Sequence, residues 1–100
     1  VMDKRDGMAE GQTEAAQRGL WRLMLKLPVL RGRLQIFSAR SSALSDLFEA
    51  YEDASVALER FQKDLHQKDG RLIQEYKTVC IEIETEVIRL LLEGREDVPN

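Results

Sequence analysis

Residues 44–65, LSDLFEAYEDASVALERFQKDL, decide the fold. Leu44, Leu47, Tyr51, Ala54, Leu58, Phe61 and Leu65 recur at steps of 3, 4, 3, 4, 3 and 4, the spacing that stacks side chains on one face of a helix. Three heptads pass without an error, as in helices that pack lengthwise against a partner. Acids crowd the early turns (Asp46, Glu49, Glu52, Asp53), and Lys63 and Lys68 lie near the end. That polarity matches the helix macrodipole. The spacing predicts a helix over 42–68, about 38 Å long.

Asp69-Gly70 supplies the predicted stop, since Gly can take the left-handed conformation that closes a helix and Asp can cap the next one. A second periodic run follows at once: Ile73, Tyr76, Cys80, Ile83, Val87, Leu90. It predicts a helix over 71–93. Two helices of similar length joined by so short a turn pack as an antiparallel hairpin. Within the second run, 78–88 reads TVCIEIETEVI, which in isolation is a strand pattern, β-branched and alternating. There is no second strand to pair with it, and the helical stripe continues on both sides, so helix is the reading.

Upstream of the hairpin, Leu20, Leu23, Leu27, Leu30, Leu34 and Phe37 form another stripe, predicting a helix over 17–37. Pro28 lies inside it, where proline removes a hydrogen bond and crowds the preceding turn. It either kinks one helix or opens a second at its first position. Gly32 weakens the segment further. Ser38, Ser41 and Ser42 then punctuate the chain, and their hydroxyls are candidate caps for the next helix. The expected architecture is an all-α, three-helix domain over 15–94: a kinked basic helix followed by a helical hairpin. Residues 1–14 and 95–100 read as flexible tails.

The chain has 100 residues and a net charge of −3. Its ordinary apolar content and scarce Gly and Pro fit a small helical domain rather than a disordered chain. No apolar run reaches the roughly 20 residues that a membrane-spanning helix needs. Cys80 is the single cysteine, which excludes an internal disulfide and fits a reducing, cytoplasmic setting. The net charge conceals an asymmetry. Between Glu14 and Asp46 there is no acid, yet Arg18, Arg22, Lys26, Arg31, Arg33 and Arg40 all fall there. From Asp46 onward acids outnumber bases 14 to 7.

Projection of the last helix at about 100° per residue places Ile81, Ile88 and Leu92 outside the arc of Ile73, Tyr76, Cys80 and Val87. The apolar surface then exceeds the width that one partner helix covers. The 20–37 segment is the expected intramolecular cover. Ile81, Ile88 and Leu92 are candidates for self-association, giving a predicted homodimer.

From Leu47-Phe48-Glu49-Ala50-Tyr51, with Leu58 and Arg60 following, the chain resembles the YdcH-like proteins, a family of very short bacterial helical hairpins. Tyr76-Lys77 and Ile83-Glu84-Thr85-Glu86-Val87 are similar to the pattern of that family's second helix. The resemblance covers about half the chain. A histidine often seen in the family's first helix is missing, and the basic 20–37 segment is extra. The resemblance implies a bacterial helical hairpin with no known enzymatic activity.

Candidate chemistry is sparse. His66 follows a stripe position and has only Asp69 nearby, too few ligands for a metal. Cys80 lies on the stripe, among Ile81, Glu82 and Glu84, and reads as a small core residue rather than an activated thiol. Glu82 with Glu86, and Glu49 with Asp53, read as solvated acidic faces, because di-metal bundles need Glu-x-x-His motifs that this sequence lacks. No catalytic residue, cofactor site or metal site is predicted.

The basic segment remains, with Arg18, Trp21, Arg22, Lys26, Arg31, Arg33 and Arg40 as a candidate binding surface. It could lie on an anionic membrane or meet nucleic-acid phosphates. The simpler reading lays its leucines on the hairpin and its cations against the hairpin's carboxylates. The function expected is a non-enzymatic interaction or adaptor protein with an unidentified protein partner. The alternative is a peripheral membrane or nucleic-acid binder acting through that segment.

Overall fold

The computed structural model describes residues 13–40, 42–64 and 70–93. They form α1 (Glu14–Lys26), a 3-10 turn (Pro28–Leu30), α2 (Arg31–Arg40), α3 (Ala43–Lys63) and α4 (Gly70–Glu93), with no strand among them. The all-α class is therefore established, and 78–88 lies wholly within α4. The predicted tail ends, Leu65, His66, Ser41 and the Asp69 cap lie outside the described residues.

Helix α1 begins earlier than the periodicity suggests, because Thr13 caps it. The Thr13 backbone is extended (φ −88°, ψ 173°), and its hydroxyl oxygen accepts from the Ala16 amide at 3.0 Å. The cap satisfies one of the donors that a helix start leaves free. The predicted single helix over 17–37 is corrected to two helices divided at Leu27-Pro28. The proline ring disfavours the α region for the residue before it, and Leu27 adopts φ −123°, ψ 65°. Pro28 then starts the 3-10 turn, where its missing amide costs nothing.

The serine caps are also corrected. Ser38 donates its hydroxyl back to the Gln35 carbonyl at 3.0 Å. Ser42 precedes α3 without a side-chain capping bond, and its carbonyl accepts from the Ser45 amide at 3.0 Å. Helix α3 closes at Asp64, whose amide donates to the Phe61 carbonyl at 3.3 Å, rather than running to 68. Gly70 is the first residue of α4, not a left-handed stop.

Helix α3 is central. Its first face has Leu44, Tyr51 and Ala54 buried in the core with Leu58 packed against them, and from Tyr51 onward it lies against α4. The contacts are Tyr51 with Glu84, Ser55 with Cys80, and the Phe61 and Tyr76 rings, whose centroids are 5.5 Å apart. The second face, Ser45, Phe48 and Glu52, is also buried and receives α1, with Ser55 buried at the border between the two faces. Gly19 makes that approach possible, since a β-carbon there would lie 1.9 Å from the Phe48 carbonyl oxygen. Ala16, Leu20 and Leu23 pack around this point, all buried with Phe48. Leu34 on α2 and Leu91 on α4 are fully buried at the other end of the core. There the Arg33 guanidinium donates to the Leu91 carbonyl at 3.2 Å.

Candidate functional site

The predicted basic surface is split by the fold. Arg18 and Arg22 are i and i+4 on α1, one above the other, and both reach the same carboxylate on α3. Glu52 accepts from Arg18 Nε at 3.1 Å and from Arg22 Nε at 2.7 Å. Arg22 also donates to Glu59 at 2.9 Å. Lys26 lies 3.7 Å from Glu84 on α4. Glu52 is buried within this arrangement, its side chain only 8% exposed. A carboxylate so placed is tolerated because two guanidinium groups satisfy it. Arg31 is exposed, Arg33 is bound to the α4 backbone, and the Arg40 side chain lies outside the described residues.

Charge-assisted bonding shifts the groups involved. The Glu59 carboxylate, followed by Glu52, holds the Arg22 guanidinium above its ordinary value despite partial desolvation. In return Arg22 holds the Glu59 carboxyl below the usual carboxylate range. The Tyr51 phenol is pushed up by burial and by its hydrogen bond to Glu84. Burial likewise raises the Cys80 thiol, which sits 3.9 Å from the Ser55 hydroxyl. A raised, buried thiol is the opposite of an activated nucleophile.

The acidic pairs do not converge into a site. Glu49 accepts from the Thr13 hydroxyl, and Glu86 is held by Arg89. Glu82 and Asp53 are exposed. No cluster of three or more metal-ligating groups occurs among the described residues. No described helix is long and apolar enough to cross a membrane.

Apolar exposure is the more distinctive feature. On α4, Ile81 and Leu92 are 59% and 50% exposed, and Ile88 is half-buried. The 20–37 segment reaches α4 in part, through Lys26 at Glu84 and Arg33 at the Leu91 carbonyl. Gly19 and the Glu52 ion pairs fix most of α1 on α3, and α2 meets α4 near Leu91. A second exposed group runs along α1 into the 3-10 turn, with Trp21, Leu25 at 76% and Val29 at 94%.

Sequence reasoning missed Glu52 and Gly19. A signal for Glu52 existed: Ser45, Phe48, Glu52, Ser55 and Glu59 keep the 3–4 spacing, one position along from the apolar stripe. Four of the five are polar, so hydrophobic periodicity does not register them. Compared with known proteins, the chain matches no family model, and no significant match was found among curated proteins or solved structures.

Proposed function

We propose that this chain is a non-enzymatic protein–protein interaction module, an antiparallel α3–α4 hairpin braced by α1. Its outer α4 face meets the partner. The antiparallel reading is supported by contact order: Tyr51–Glu84, Ser55–Cys80 and Phe61–Tyr76 advance along α3 while receding along α4. The resemblance to the YdcH-like hairpins points the same way. The observation that carries the function is the exposure of Ile81 and Leu92 on a helix whose other face is already filled by Cys80, Ile83, Val87 and Leu91. A helix with two apolar faces has one to spare for a partner. The single buried thiol suits a reducing, cytoplasmic setting.

Partner capture with the native chain and with Ile81→Lys and Leu92→Lys tests this reading. The variants keep their helical circular dichroism and lose the captured proteins; identical capture overturns the proposal. A second reading has its own observation. Trp21, Leu25 and Val29 are exposed, and Arg31, two residues after Val29, is exposed as well, a combination suited to an anionic lipid surface. It is the weaker reading, because Arg18, Arg22 and Lys26 are engaged by carboxylates. Binding to phosphatidylserine vesicles that weakens with salt and is lost in Trp21→Ala or Arg31→Ala would favour it. The same salt series with duplex DNA covers the nucleic-acid alternative.

A further inference from the structure

We infer that the outer face of α4 docks a second copy of this chain, the two α4 helices lying antiparallel about a two-fold axis between Thr85 and Ile88. The inference rests on the reading of that face as an interaction surface and names its occupant. Gln74, Thr78, Ile81, Thr85, Ile88 and Leu92 follow one another at steps of 4, 3, 4, 3 and 4. This is a second complete helical seam, distinct from the buried line of Cys80, Ile83, Val87 and Leu91. All six are exposed except the half-buried Ile88. Its apolar members run from the middle of α4 to its C-terminal end.

Two directions of pairing place different residues together. Antiparallel pairing sets Ile81 opposite Leu92 of the second copy and Thr85 opposite its Ile88. The two-fold then repeats both layers, so every isoleucine and leucine of the seam is covered. Shifting the pairing by one heptad would oppose Leu92 to Gln74 and Ile88 to Thr78, and would leave the apolar half unmatched.

Charge on the seam's borders selects the same arrangement. Glu82 and Arg89 follow Ile81 and Ile88 on the outer border, both exposed. In the antiparallel register each Glu82 lies beside Arg89 of the second copy, twice per dimer. Arg89 also bonds Glu86 and Glu93 of its own helix at exposed positions, where such pairs hold weakly and a guanidinium fork can share a third carboxylate. A parallel dimer would instead pair the outer border with the inner one. That inner border carries exposed Lys77 only at the polar Gln74–Thr78 end of the seam, and along the apolar half it carries Glu84, already engaged by Tyr51 and Lys26, and the buried Leu91.

Light scattering across a concentration series tests the docking. The native chain moves from its 11.5 kDa chain mass towards twice that value as concentration rises. Glu82→Arg and Arg89→Glu each raise the dimer dissociation constant about tenfold, since each turns two attractions into repulsions. The combined E82R/R89E variant returns to near the native constant. Circular dichroism checks that the variants fold, and both positions are exposed. A native chain that stays monomeric at about a thousandfold above micromolar concentrations overturns the proposal. So does a double variant no tighter than the single ones, which would rule out antiparallel pairing. The interaction-module reading fails separately, when Ile81→Lys and Leu92→Lys leave partner capture unchanged.

Discussion

At position 19 a β-carbon would meet the Phe48 carbonyl oxygen at 1.9 Å, with the Phe48 carbonyl carbon 2.7 Å away. Both obstacles are backbone, so neither can rotate aside. Gly19→Ala therefore forces α1 away from α3 and strips packing from Leu20, Leu23 and Phe48. The expected cost is about 2–4 kcal/mol in urea unfolding, a large share of the stability of a small domain. Full retention of stability would show that the two helices do not touch there. Tyr51 gives a second test at the same scale. Its phenol is held neutral by burial and by Glu84, so its folded value lies above the ordinary 10.0. A group raised on folding lends stability that is complete below its unfolded value and is lost as pH rises towards the folded one. The melting temperature of the native chain should fall above about pH 10, and Tyr51→Phe should flatten that fall. An unchanged alkaline limb in the variant would exclude Tyr51 as its source.

The elements divide into those that periodicity reveals and those that it hides. The Leu44–Leu58 stripe and the Cys80–Val87 stripe are legible because apolar burial writes a period of 3.6 into the sequence, and both stripes lie in the core. The break at Pro28 is legible as a break. Its outcome depends on Leu27, for which the following proline disfavours the helical backbone. Less legible is the second buried face of α3. Ser45, Glu52 and Ser55 are buried there without being apolar, because α1 supplies the guanidiniums and Gly19 supplies the room. The share of the basic helix that α3 takes is hidden by the same omission. With that second face unseen, the spare apolar surface of α4 is the visible place for the basic helix to pack. The start of α1 escaped periodicity as well, since a cap depends on one hydroxyl. Thr13→Ala removes the bond to the Ala16 amide and the one to Glu49. It should cost about 1 kcal/mol in chemical denaturation, with Thr13→Ser recovering most of it. Equal stability of all three proteins would deny Thr13 that role.

On the scale of the molecule, the described residues fill a slab of 52 × 38 × 19 Å. Its thickness is about two helix diameters, so none of the described helices is surrounded on every side by the others, and exposed Ile81, Leu92, Leu25 and Val29 follow from that geometry. Helix α3 comes nearest to enclosure, with α1 on one face and α4 on another. That placement ranks how long each backbone amide is withheld from solvent. Opening α1 or α4 frees one layer, but the amides around Phe48–Ser55 are released only when both layers have gone, which amounts to global unfolding. Deuterium uptake should therefore be fastest in α2, intermediate in the outer halves of α1 and α4, and slowest at the middle of α3. Faster uptake in α3 than in α4 would mean that α3 is not the keystone of the fold. The middle helix is then the molecule's clock: its slowest protons record how often the entire domain comes apart.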